Sequence, residues 1–224
     1  MKKKEKKKNK IKKVIVVLLI LIILFLVGFY LINAKTKNII ILNNNYYSDE
    51  TIIETAKLES YPKFILLNKD RIIKRLKSLD LIEDVKVTKK WGFILKIKVT
   101  EKKILYYVRS EDKYMVSDNK TYRLDDVIGY PTLINYVPNE VSDSFVKEFS
   151  KIDDNIIKLI SEIEYSKTEF DDKRFLLYMN DGNEVYITVS RTNLLNKYID
   201  IIKKIDNKNG ILYLDSGNYF EIKK

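Results

Sequence analysis

IEDVKVTKKWGFILKIKVTE, residues 82–101, is the stretch on which the reading of the fold turns. Over Ile94–Glu101 it alternates, with Leu95, Ile97 and Val99 on one side and Lys96 and Lys98 on the other, the two-residue period of a half-buried strand. Ile82–Thr88 gives a first strand signal before it. Upstream, Asn68 caps a helix whose apolar positions Ile72, Ile73, Leu76 and Leu79 oppose Arg71, Lys74, Arg75 and Lys77. Pro62 marks a break, and an earlier helix takes Ser48 as its N-cap, Asp49 and Glu50 in its first turn, and Ile52, Ile53 and Ala56 at helical spacing. Asn38–Leu42 is a short apolar strand, and Asn43-Asn44-Asn45 turns the chain because Asn tolerates left-handed backbone angles. The order β-α-α-β-β predicts an α+β domain with two helices on one face of a three-stranded sheet.

Ahead of this domain lies Val14–Ile32, VIVVLLILIILFLVGFYLI, 19 residues without a charge. As a helix it is roughly 28 Å long, against a hydrocarbon core of about 30 Å, and it has no polar face. A cleaved signal peptide is the rival, but its apolar region should be shorter, and Ile32 fits poorly at −3 from a cut after Ala34. An uncleaved anchor is the expectation. Residues 2–13 hold nine Lys and one Glu, so +8 of the chain's +11 sits in this tail. The asymmetry puts the N-terminus in the cytoplasm and residues 35–224 outside. It also removes the net charge as a sign of nucleic-acid binding, because the basic character is a tail and not a property of the folded part.

Downstream the chain becomes strand-rich. Ile104–Arg109, Lys113–Val116 and Thr121–Leu124 read as strands, with Asp118-Asn119-Lys120 as a turn and an irregular link between Pro131 and Pro138. A helix is expected from Ser142, with Phe145, Phe149, Ile152, Ile156, Leu159, Ile160 and Ile163 as its apolar positions. Arg174–Met179 and Glu184–Val189 form a hairpin around Asp181-Gly182, a two-residue turn signal. Asn193–Ile205 is amphipathic, Gly210 ends the following loop, and Ile211–Leu214 and Tyr219–Ile222 are the last strands.

The chemistry this chain can support is narrow. With no Cys and no His it can form no disulfide, no Cys/His zinc site and no Ser-His-Asp or Cys-His catalytic unit. No Gly-rich phosphate loop or dinucleotide fingerprint is present. The acid pairs Asp125-Asp126, Asp153-Asp154 and Asp171-Asp172 fall in or near turns, and adjacency does not supply the cleft geometry two catalytic carboxylates need. Asp171-Asp172 or Asp181 could hold Ca²⁺, but no loop of alternating acids surrounds them. No catalytic, metal or cofactor site is therefore expected. Ile, Lys and Asn make up 86 of the 224 residues, so single Lys and Asn residues carry little functional meaning. One functional feature stands out: the chain ends on apolar, aromatic strands that would lie at a sheet edge, guarded only by Asp215, Glu221 and Lys223-Lys224. Such an edge can dock a partner's strand, or it can be an ordinary last strand covered by its own domain.

This arrangement resembles the FtsQ/DivIB family of bacterial cell-division proteins: basic tail (1–13), one span (14–34), a POTRA domain (35–103) and a mixed β domain with flanking helices (104–224). The family's opening strand running into Gly-Asn resembles Ile39-Ile40-Ile41-Leu42-Asn43-Asn44, with Asn43 in place of the Gly. Its Val-x-x-x-Trp-Pro-x-Thr-Leu-x-Ile-x-Val-x-Glu resembles Val87 to Glu101: Trp91, Leu95, Ile97, Val99 and Glu101 match, while Gly92 and Ile94 replace the Pro and Thr. Tyr114 to Asp118 resembles the family's aromatic strand leading to Asp; Gly182 resembles its hairpin Gly, Lys197 the basic residue opening its last helix, and Tyr213-Leu214-Asp215 its terminal Tyr-x-Asp. The family's Arg soon after that Asp is replaced by Ser216-Gly217.

The resemblance implies a non-enzymatic divisome scaffold at the septum. It would bind FtsL-like and FtsB/DivIC-like single-pass proteins and link them to the septal peptidoglycan synthase complex, with no nucleic-acid or small-molecule substrate. A DivIC-like partner would be held by strand addition at Tyr213, Leu214, Asp215, Tyr219, Phe220 and Ile222, with Lys197 nearby. Tyr213, Asp215 and Lys197 follow from the resemblance and the others from the edge-strand argument. The alternatives are a POTRA-containing scaffold of a secretion or sporulation complex, or a membrane-anchored cell-wall enzyme using paired acids.

Overall fold

The computed structural model describes residues 2–125, 127–205 and 208–223, with side chains described at Lys13 and from Ile15 onward. Asp126 of one acid pair and Lys224 of the terminal guard lie outside the described residues. The chain divides into two compact units, Met1–Glu101 and Lys102–Lys224. Helix α1, Lys2–Asn33, contains a 19-residue stretch, Ile15–Asn33, of mean hydropathy 3.4. By length and composition it can cross a membrane, and none of that stretch is buried by the protein.

After α1 come β1 (Asn38–Leu42), α2 (Asp49–Ala56), α3 (Lys69–Leu76), β2 (Ile82–Lys90) and β3 (Ile94–Glu101). The sheet order is β1-β3-β2, with β1 parallel and β2 antiparallel to β3. The expected β-α-α-β-β domain is present. Ser48 and Asn68 cap α2 and α3 through their side chains, taking the amides of Thr51 and Arg71. Ile52, Ala56, Ile72 and Leu76 from the helices bury against Leu95, Ile97 and Val99, the face that the alternation assigns to the core. Asn43 takes the left-handed conformation (φ 67°) that its place in the turn requires. The Glu101 carboxylate accepts from the amides of Asn45, Tyr46 and Tyr47 at 2.8, 2.8 and 3.1 Å, so the end of β3 holds the loop that follows β1.

Among the described residues the second unit is one nine-stranded sheet with helices. Its elements are β4 (Ile104–Val108), β5 (Lys113–Val116), β6 (Thr121–Tyr122), β7 (Thr132–Leu133), α4 (Asn139–Phe149), α5 (Asp154–Ile157), β8 (Ile160–Tyr165), β9 (Arg174–Met179), β10 (Glu184–Thr188), a 3₁₀ segment (Val189–Lys197), α6 (Tyr198–Lys204), β11 (Gly210–Tyr213) and β12 (Tyr219–Ile222). The order across the sheet is β12-β11-β10-β9-β8-β7-β4-β5-β6. Phe145 and Phe149 of α4 stack in its core, with Phe145 against Phe175 of β9 at 4.0 Å between ring centroids.

Three expectations need correction. The first concerns the helix expected from Ser142 through Ile163. It starts at Asn139, directly after Pro138, and stops at Phe149, while Ile160 and Ile163 belong to strand β8. A bulge between Ile160 and Glu162 puts both isoleucines in the core three residues apart, which imitates helical spacing. The second concerns the Asp181-Gly182 loop. It is closed by the Asn183 carbonyl accepting from the Met179 amide, and the intervening turn is three residues rather than two, with Gly182 left-handed at φ 87°. The third is the amphipathic stretch from Asn193, which is 3₁₀ as far as Lys197 and α-helical only from Tyr198.

Candidate functional site

β12 is the terminal strand of the large sheet, paired, among the described residues, on one side only. Its register with β11 sets Gly210 opposite Ile222, Leu212 opposite Phe220 and Tyr213 opposite Tyr219. The Lys223 amide donates to the Asn209 carbonyl at 3.1 Å. In an antiparallel ladder, alternate residues turn both backbone groups to the partner. The N–H and C=O of Phe220 and Ile222 therefore point away from β11, to the open side. β12 lies close because residue 210 is Gly: a Cβ there would collide with the Glu221 carbonyl and come 2.6 Å from the Phe220 ring.

The two faces of this edge differ. On the inner face a groove of about 400 Å³ opens between β11–β12 and the helical segment before them. Leu194, Ile201 and Ile205 line one wall, and Leu212, Leu214 and Phe220 the other. Lys197 and Lys204 stand at its rim, both exposed. On the outer face Tyr186, Tyr213 and Tyr219 form a cross-strand row, stacked at 5.3 and 4.4 Å between successive centroids. The Arg174 guanidinium caps the row, 3.6 Å from the centre of the Tyr186 ring.

Of the residues singled out from the sequence, Lys197, Leu214 and Phe220 meet around the groove, Tyr219 borders it while its ring stacks on the outer face, and Ile222 is 55 % exposed at the edge itself. Tyr213 is half-buried in the opposite face and donates to Glu221 Oε2 at 3.2 Å. Asp215 does not guard the edge. Its side chain is only 9 % exposed and accepts from Arg174 Nε at 2.6 Å. Burial opposes ionisation there, yet the Arg174 guanidinium and the Ser216 side chain hold the carboxyl below the usual carboxylate range. Arg191 braces the same turn, donating to the Asp215 carbonyl at 3.1 Å and to Asn218 Oδ1 at 2.7 Å. Of the other guards, Lys223 folds back to Glu184 at 2.7 Å.

Sequence reasoning missed Arg174, Arg191, Ile201 and Lys204. The alternation of β11 and β12 was the available signal that Leu212, Leu214 and Phe220 face one way and Tyr213 and Tyr219 the other. Nothing local tied Arg174 to Asp215, 41 residues away.

Four of the other acids singled out from the sequence make contacts within the fold. Asp154 pairs with Lys158 at 3.0 Å, Asp171 accepts from the Lys173 amide at 2.8 Å, and Asp181 receives the Tyr198 hydroxyl at 2.9 and 2.8 Å on its two oxygens. Asp118, which ends the aromatic strand, pairs with Lys102 at 2.8 Å and accepts from the Tyr122 hydroxyl at 2.7 Å. Among the described residues no group of three or more acids could hold a metal ion.

Residues 34–102 match the family model described as the POTRA domain, FtsQ-type. The cell division protein DivIB of Brevibacillus brevis is 27 % identical over 198 residues, covering 84 % of this chain and 74 % of that protein. DivIB of Bacillus subtilis is 26 % identical over 195 residues, with the same coverage of 84 % and 74 %. The solved major extracytoplasmic domain of DivIB from Geobacillus stearothermophilus overlays 48 % of this chain and 96 % of that one, at 20 % identity and a TM-score of 0.40. The sequence matches bear out the FtsQ/DivIB resemblance, and the α+β domain that opens the folded part is a POTRA domain.

Proposed function

We propose that this FtsQ/DivIB-type chain is a non-enzymatic scaffold of the bacterial cell-division machinery. α1 holds it in the cytoplasmic membrane with its Lys-rich start inside and its two folded units outside. The relatives' description as cell division proteins supports the role, and the span's length with the Lys asymmetry supports the topology. Its partners are single-pass proteins of the FtsL and FtsB/DivIC kinds, which it links to septal peptidoglycan synthesis, and it concentrates at the septum.

The observation that carries the mechanism is the open edge of β12 beside an apolar groove with a lysine rim. A partner strand laid along β12 pairs with the outward backbone groups of Phe220 and Ile222. Its alternate side chains then lie over the groove, where apolar residues flanked by an acid suit Leu214, Phe220, Lys197 and Lys204. Main-chain pairing supplies affinity, and the groove supplies selectivity.

Removing residues 211–224 would be a poor test, because Leu212 and Leu214 of this segment are buried in the core. Ile222→Pro is the cleaner variant. It deletes one outward N–H and leaves the ladder to β11 intact. In a crosslinking pull-down from solubilised cells, the unaltered protein should capture a DivIC-like protein and Ile222→Pro should lose it, with an unchanged circular dichroism spectrum. Equal capture by both would place the binding surface elsewhere. Absence of any division protein from either would reject the divisome reading.

A further inference from the structure

Trp91 is 99 % exposed, although it is the chain's only tryptophan. It stands at the tip of the β2–β3 hairpin, where Gly92 and Phe93 both take positive φ, 83° and 62°. A bulky residue in that conformation is uncommon. Here it brings the Phe93 ring against Phe64 (5.7 Å between centroids) and against Tyr30 of α1 (6.2 Å). Tyr30 lies three residues before the end of the apolar span, about 4.5 Å along the helix axis. Whatever touches its ring lies at the level where hydrocarbon gives way to headgroups.

The rest of this end of the first unit has the same character. The 3₁₀ turn Phe64–Leu66 exposes Ile65 and Leu66, the latter by 68 %. It is tied to the hairpin by Lys89, which donates to the Ile65 carbonyl at 3.1 Å and stands over the Phe64 ring. It is tied to the end of α1 by the Phe64 amide donating to Ala34 at 2.9 Å and by Lys63 donating to Asn33 at 2.8 Å. Residues 34–37, 61–69 and 88–94 carry Lys35, Lys37, Lys63, Lys69, Lys89 and Lys90 and no acid. Exposed aromatic and aliphatic side chains set among lysines, continuous with a span, have the composition of a membrane-interface anchor.

We infer that the Trp91 hairpin tip and the Ile65–Leu66 turn seat in the outer-leaflet interface, against the phosphate-bearing headgroups of anionic lipids. Trp91 inserts at headgroup depth, Ile65 and Leu66 bury beside it, and the lysines meet the phosphates. The first folded unit then rests on the bilayer instead of swinging on its anchor. This rests on α1 being a membrane span.

The single tryptophan makes the test direct. The full chain is reconstituted in vesicles of phosphatidylcholine with phosphatidylglycerol, and flotation after an alkaline carbonate wash establishes that it is inserted. The expected result is blue-shifted Trp91 emission, protection from acrylamide, and stronger quenching by bromines placed high on the acyl chain than by bromines at mid-chain. Replacing phosphatidylglycerol with phosphatidylcholine, or introducing Ile65→Glu with Leu66→Glu, should shift the emission red and raise acrylamide access. Emission of a fully hydrated indole in floated vesicles, freely quenched by acrylamide and untouched by bromine, would overturn the seat while leaving the span standing. Insensitivity to phosphatidylglycerol would overturn the anionic-lipid assignment. Failure to float would overturn the span and the seat together.

Discussion

Asp215 shows how a residue picked out by resemblance can have a role other than the expected one. Its carboxylate is sealed under Arg174, which also stacks on Tyr186, so it fastens the β11–β12 turn to β9 and β10. Its folded pKa is depressed. The stabilisation is therefore present above the unfolded value of about 3.9 and is lost as pH falls through the folded value. Arg174→Ala should cost about 3 kcal/mol at neutral pH, since it leaves a largely buried carboxylate unpaired. It should also flatten the acid limb of the stability curve, as read by urea melts at stepped pH. Gly210→Ala makes a second case. The new Cβ has no room against Glu221 and Phe220, so β12 must move. A loss of about 1–3 kcal/mol is expected, with faster hydrogen exchange confined to the amides that pair β12 with β11, those of Glu221 and Lys223 among them. Exchange that is raised evenly across the sheet would show that β12 is not held by this close approach.

Among the elements, legibility followed locality. β3 was plain because Leu95, Ile97 and Val99 alternate against lysines, and α2 and α3 were plain because Ser48 and Asn68 cap them. β8 was hidden because its bulge gives Ile160 and Ile163 a helical interval, and no Gly or Pro follows Phe149 to announce a stop. β7, two residues long, carries too little pattern to register. The end strands were legible as strands, and the groove beside them was not. It exists only because the 3₁₀ segment and α6 lie over β11 and β12, bringing Lys197 and Lys204 to Phe220 and Leu214. If those lysines select an acidic neighbour on the incoming strand, Lys197→Glu with Lys204→Glu should weaken partner capture by about tenfold or more at low salt. The deficit should shrink as salt rises. A deficit independent of salt would show that the rim contributes by packing alone.

At the scale of the molecule, two features stand far apart in sequence: the apolar stretch Ile15–Asn33 and the open strand Tyr219–Ile222. The first unit holds an aromatic end against the base of α1, and the second ends its sheet on a strand with one side unpaired. A scaffold that holds other membrane-anchored proteins needs both an attachment and an unpaired edge, and no reacting groups. Under the proposed mechanism β12 receives a partner's strand. The most direct measurement is photocrosslinking in dividing cells, with a photoreactive residue placed at Ile222 and, as a control, at exposed Asn139 at the start of α4. Strand addition at β12 gives an adduct with a DivIC-like single-pass protein at 222, none at 139, and loss of the 222 adduct when a proline replaces the partner's pairing residue. Equal adducts at both positions, or none at 222 while the protein sits at the septum, would contradict it.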